Sequence, residues 1–101
     1  SSPFQFTKIG RWWYKDSEID LIAINDKTKE ILFGECKWQE KVDAEKIIRE
    51  LTRKTELVEW NNRKRIEKYA IFAKSFSRRI NDFEGKKVFC YDLRDMGQVS
   101  I

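Results

Sequence analysis

Three charged residues interrupt the most apolar stretches of this 101-residue chain, and a core strand holds such residues only when they have partners. The run Ile31-Leu32-Phe33-Gly34 leads directly into Glu35-Cys36-Lys37, and Asp20 precedes Leu21-Ile22-Ala23-Ile24. Side chains alternate along a strand, so Glu35 and Lys37 project from one face and Cys36 from the other. Burying one such charge alone costs several kcal/mol, roughly, unless it is paired or bound to a cation. Two hairpin-linked strands can bring Asp20 and Glu35 side by side.

Composition narrows the chemistry. There is no His, which removes Ser–His and Cys–His nucleophilic catalysis and the common zinc sites. Two carboxylates, Asp20 and Glu35, with the Cys36 backbone carbonyl and waters, suit Mg²⁺ or Mn²⁺, which take oxygen ligands in octahedral geometry. Lys37 beside such a metal orients or deprotonates an attacking water and stabilises developing charge. That is a sensible site for phosphodiester hydrolysis. An ion pair of Lys37 with Glu35 or Asp20 on a solvated sheet face accounts for the same residues without any ligand.

The chain has room for one domain, residues 1–101, with 41% hydrophobic and 38% charged residues. No apolar run is long enough for a membrane span, and Ser1-Ser2-Pro3-Phe4 lacks the features of a signal peptide. The first residue is not Met, which suggests a segment of a longer protein. Heavy use of Lys, Glu and Arg resembles hyperthermophile composition. Cys36 and Cys90, in apolar runs, read as buried thiols of a reducing, cytoplasmic compartment.

Phe6 to Tyr14, Glu18 to Ile24 and Glu30 to Trp38 read as three strands of a meander, the second turn being Asn25-Asp26-Lys27-Thr28-Lys29. Asp43 caps a helix running to about Trp60, with Ala44, Ile47, Ile48, Leu51, Thr55 and Val58 as its core-facing stripe and Lys46, Arg49 and Arg53 opposite. Tyr69 to Ala73 reads as a strand buried on both faces. Phe76 to Phe83 reads as a short helix capped by Ser77 and stopped by Gly85, and Val88 to Leu93 as the last strand. The order β-β-β-α-β-(α)-β predicts an α/β fold with a mixed sheet flanked by helices.

A net charge of +4 permits nucleic-acid binding without requiring it. Lys46, Arg49 and Arg53 can follow a phosphate backbone, extended by Arg63-Lys64-Arg65; a solvated helix back explains the first three equally simply. Leu57 and Trp60 fall off the core stripe and suggest a dimer or domain-docking patch. Trp12 and Trp13 point to opposite faces of the first strand, one toward the core.

Glu18-Ile19-Asp20, fourteen intervening residues and Glu35-Cys36-Lys37 resemble the D-x(n)-E-x-K signature of the PD-(D/E)XK nuclease superfamily. Glu35-Cys36-Lys37-Trp38, a following Val and Ile48-Arg49-Glu50-Leu51 are similar to its Mrr-type branch. Gly10-Arg11-Trp12-Trp13, Glu18 to Ala23 and Phe33 to Trp38 are similar to the nuclease-like domain at the C-terminus of archaeal P-loop ATPases. The resemblance implies a restriction-endonuclease-like sheet, Asp20 and Glu35 as metal ligands and Lys37 as the catalytic lysine. It further implies Mg²⁺ or Mn²⁺ as cofactor, DNA as substrate and an ATPase domain in the same chain. The superfamily's helix before the first strand is absent from this segment, and Ile19 replaces the motif's proline. A non-catalytic DNA-binding or protein-interaction module of such an ATPase is the alternative reading.

Overall fold

The computed structural model describes residues 5–97. Strands β1 (Lys8–Tyr14), β2 (Ser17–Asn25) and β3 (Glu30–Lys37) form the expected antiparallel meander. Helix α1 (Ala44–Thr55) then leads to β5 (Ile66–Ala73), which pairs parallel to β3, after a short β4 (Val42–Asp43). Strand β8 (Lys86–Tyr91) adds parallel to β5 and pairs on its other side with β7 (Asp82–Phe83), giving the order β1-β2-β3-β5-β8-β7. The fold is therefore a mixed α/β sheet, as the element order requires.

Helix α1 begins where Asp43 accepts a hydrogen bond from the Glu45 backbone N–H at 3.1 Å. Its stripe is the one the periodicity predicts: Ala44, Ile48, Leu51 and Thr55 are buried and Ile47 is half-buried, while Lys46, Arg49 and Arg53 face water. Below it lie Ile19, Ile31, Phe33, Tyr69 and Ile71, the main core. On the reverse face Ala23, Leu32 and Ala70 form a smaller cluster with Phe72, Phe89 and Tyr91.

Four expectations need correction. The helix stops at Thr55 rather than near Trp60, although Val58 is still buried beyond its end. Phe76 to Phe83 is not helical: β6 (Phe76–Arg78) pairs parallel to β4, and β7 (Asp82–Phe83) forms a hairpin with β8. Glu84 and Gly85 both have positive φ, 52° and 80°, as a two-residue hairpin turn of this hand requires; Gly85 is a turn residue, not a helix stop. The last strand ends at Tyr91, because Asp92 and Asp95 build a reciprocal cap for α2 (Leu93–Met96). Cys36 is exposed and Cys90 half-buried, both as free thiols.

Arg65 holds the end of α1. Its guanidinium donates to the carbonyls of Thr55 (2.9 Å), Val58 (2.7 Å) and Trp60 (3.1 Å), and pairs with Glu67 at 2.8 Å. It also lies over the Phe33 ring, 5.4 Å from the centroid. Helix ends leave carbonyls without partners, and here one planar, multidentate cation supplies them. Arg65→Met is expected to lower the unfolding free energy by about 3 kcal/mol, because it breaks a buried ion pair and takes one donor each from three carbonyls, while Lys86 still pairs with Glu67. Arg65→Lys should recover less than half of that loss in denaturant melts, since an ammonium cannot span three carbonyls and a carboxylate.

Candidate active site

The second strand is bulged at Asp20 and Leu21. Gly10 opposes Ile22, and Trp12 opposes Ile19, so Asp20 and Leu21 together face the single residue Arg11. This extra residue lets both Ile19 and Ile22 pack toward the main core, although strict alternation forbids it. The β2–β3 ladder ends at Leu21 opposite Gly34, while β3 continues beside β5 as far as Lys37. Cys36 is thus left without a β2 partner, and its N–H donates to Asp20 Oδ2 at 2.9 Å. The N–H and C=O of one strand residue point to the same side, so the Cys36 carbonyl faces the Asp20 side as well.

Glu35 lies beside this contact and is only 5% exposed. Burial raises its pKa first, the hydrogen bond and charge of Asp20 raise it further, and Lys54 opposes both; the result is about 7. Lys54 Nζ lies 3.3 Å from Glu35 Oε1. The cation on Glu35 therefore comes from the last turn of α1. Lys37 projects from the same strand face two residues on, half-buried, and forms no side-chain hydrogen bond or ion pair among the described residues.

Lys54 is not among the residues the sequence singles out for the site. The available signal was its position seven residues after Ile47, which puts it at the margin of the buried stripe. Among the described residues no three His, Cys, Asp or Glu side chains converge. The donor set is two carboxylates plus the Cys36 carbonyl, all oxygen. It fits a hard cation such as Mg²⁺ or Mn²⁺, which completes its shell with water.

The basic residues divide differently from expectation. Arg65 is removed from the phosphate-facing set: its side chain is 6% exposed and its donors are used by the helix end and Glu67. Arg63 and Lys64 remain exposed, as do Lys46 and Arg53. Arg49 is exposed but tied to Glu45 at 3.2 Å and lies over the Phe83 ring. Leu57 is 44% exposed, whereas Trp60 packs partly against the core, so the two do not form one open patch. Trp12 packs toward the core and Trp13 is 71% exposed, the expected division.

Residues 1–47 match a family described as archaeal and bacterial proteins of unknown function, a span that includes Asp20, Glu35 and Lys37. Over 95 residues the chain is 43% identical to an uncharacterized protein of Methanocaldococcus jannaschii, covering 92% of this chain and 20% of that protein. The chain thus spans about one fifth of the length of the relative it matches. No solved structure matches it.

Two predictions follow from the geometry. A Cβ at Gly34 would lie 3.0 Å from Leu21 Cβ, so Gly34→Ala must push the bulge aside. It is expected to cost roughly 1–3 kcal/mol, as overpacking does, and to weaken the Asp20–Cys36 bond, which amide exchange at Cys36 reports. The raised pKa of Glu35 gives a sign for pH dependence. Between pH 4.5 and about 7 the folded state holds a proton that the unfolded chain releases. The resulting stability is full below 4.5 and is lost as pH rises through 7. In chelator, Glu35→Gln should flatten this decline, on the order of 3 kcal/mol at most. Parallel pH profiles of the two proteins in urea melts would contradict the assignment.

Proposed function

We propose that this domain is a PD-(D/E)XK nuclease-like module that hydrolyses phosphodiester bonds in DNA with Mg²⁺ or Mn²⁺. The observation that carries the reading is the meeting of Asp20 and buried Glu35 at a bulge beside the Cys36 carbonyl. A purely structural sheet has no need of two adjoining carboxylates there, since like charges at close range disfavour each other. Asp20, Glu35 and the Cys36 carbonyl would hold the metal, which when bound supplies Lewis acidity and lowers the pKa of water. Lys37, on the same strand face and without a protein partner among the described residues, is placed to orient the attacking water or meet a phosphate oxygen. An ATPase domain in the same chain and a cytoplasmic location belong to this proposal. No described helix is long and apolar enough to cross a membrane.

The second reading is a non-catalytic interaction module. The exposure of Ile9 (58%), Trp13 (71%) and Leu57 (44%) favours it, because large apolar side chains in water often mark a contact surface.

The deciding experiment uses the full-length parent protein with plasmid, single-stranded and branched DNA. Cleavage is expected with Mg²⁺ or Mn²⁺, and Ca²⁺ should support binding with little cleavage. Asp20→Ala, Glu35→Ala and Lys37→Ala should each lower the rate by roughly 100-fold or more while leaving the fold intact by circular dichroism. Cleavage that survives all three substitutions rejects the site. Metal-independent DNA or protein binding without cleavage supports the interaction module instead.

A further inference from the structure

The cation paired with Glu35 is a helix residue whose presence the metal reading does not explain. Lys54 Nζ sits 3.3 Å from Glu35 Oε1, so it draws on the same carboxylate charge that would hold a metal ion. An ammonium and a divalent cation drawn to one carboxylate repel each other, and each weakens the hold of the other. Resting on the metal-site reading above, we propose that Lys54 is a built-in competitor that holds Glu35 in the metal-free protein and must swing away for the metal to enter.

The parts of the site differ in freedom to move. The Glu35 side chain is 7% exposed and fixed within the sheet, and Asp20 is anchored by the Cys36 N–H at 2.9 Å. The Lys54 side chain is 31% exposed and hangs from the last turn of α1 on a flexible four-carbon stem. Lys54 can move into solvent at the cost of its one ion pair, whereas Asp20 would have to release the Cys36 N–H. It is also the cation that compensates the carboxyl pair, since Lys37 makes no ion pair among the described residues. The competitor thus keeps a buried carboxylate satisfied when no metal is present, and sets the metal concentration at which the site fills.

The test is Mn²⁺ binding by the full-length protein, read by calorimetry and by the paramagnetic signal of free Mn²⁺, with no DNA present. Lys54→Met, which keeps length and removes charge, is expected to bind Mn²⁺ roughly tenfold more tightly than wild type, the scale of one lost repulsion between partly screened charges. In chelator the same variant should melt below wild type, and Mn²⁺ should raise its melting temperature by more. Lys54→Arg keeps a cation and should bind Mn²⁺ no more tightly than wild type. Adding Asp20→Ala to Lys54→Met should abolish the tight binding, tying it to this site. If Lys54→Met does not fold, Lys54→Gln is read against the same outcomes. Measurable wild-type binding that Lys54→Met leaves equal or weaker overturns the competitor and leaves the metal site standing. Absence of binding in every variant overturns both.

Discussion

The buried carboxylate of Glu35 sets conditions that much of the surrounding architecture meets. A charge at this depth needs compensation, and the structure supplies it from two directions. Lys54 reaches in from the helix at 3.3 Å, and burial with the neighbouring carboxyl of Asp20 raises the Glu35 pKa to about 7, toward the uncharged form. Asp20 can sit there only because β2 is bulged, and the bulge in turn frees the Cys36 N–H that Asp20 accepts. Gly34, with no Cβ to meet Leu21, lets the strands come close enough for this arrangement. Bulge, glycine, freed amide and helix lysine form one connected device at the end of the β2–β3 ladder.

A second buried ionic cluster shows what a closed arrangement looks like in the same fold. Glu67 pairs with Arg65 at 2.8 Å through one oxygen and with Lys86 at 2.6 Å through the other. Burial pushes the Glu67 pKa up, yet the hydrogen bonds from Lys86 and Arg65 outweigh it and hold the carboxyl below its ordinary range. Arg65 also donates to the helix-end carbonyls, so both oxygens of Glu67 and most of the Arg65 donors are engaged within the fold. Glu35 is the reverse case: its pKa is raised, it has one cation where Glu67 has two, and its neighbour is another acid. The contrast separates an ion cluster with matched charges from a carboxylate pair with one cation between them, the pair that the proposed reading assigns to a metal.

The sequence made the meander, α1, β5 and β8 legible because each has a clean period: alternation with β-branched residues in the strands, and a 3.6-residue stripe from Ala44 to Thr55. It hid what rests on pairing at a distance. Phe76 to Arg78 becomes β6 only because β4 lies beside it, and no local pattern announces a three-residue strand. Glu84-Gly85 was a readable hairpin signal obscured by expecting a helix. The adjacency of Asp20 and Glu35 was legible from strand order. The lysine that meets Glu35 was not, since helix rotation over the sheet decides whether residue 54 or a strand neighbour reaches it. Arg65 was misread for a related reason: within Arg63-Lys64-Arg65 all three look alike, and only the path of the loop sends one inward.

That misreading changes where a phosphate backbone would lie on the proposed reading. With Arg65 buried and Arg49 tied to Glu45, the back of α1 offers a diluted and partly neutralised charge. Arg78 is drawn to the same Glu45, at 3.2 Å. At the end of β3 the arrangement differs. Lys37 lies on the face that carries Glu35, and just beyond it Trp38 is 50% exposed with Lys74 Nζ 6.0 Å from its ring centroid. Cations beside an exposed aromatic surface can engage both the phosphates and the bases of nucleic acid. The cation-bearing surface nearest the candidate chemistry is therefore this strand end, formed where β3 and β5 run parallel past the last β2 pair. Ligands of open α/β sheets favour the carboxyl ends of parallel strands, and Glu35 and Lys37 lie within three residues of that end on β3.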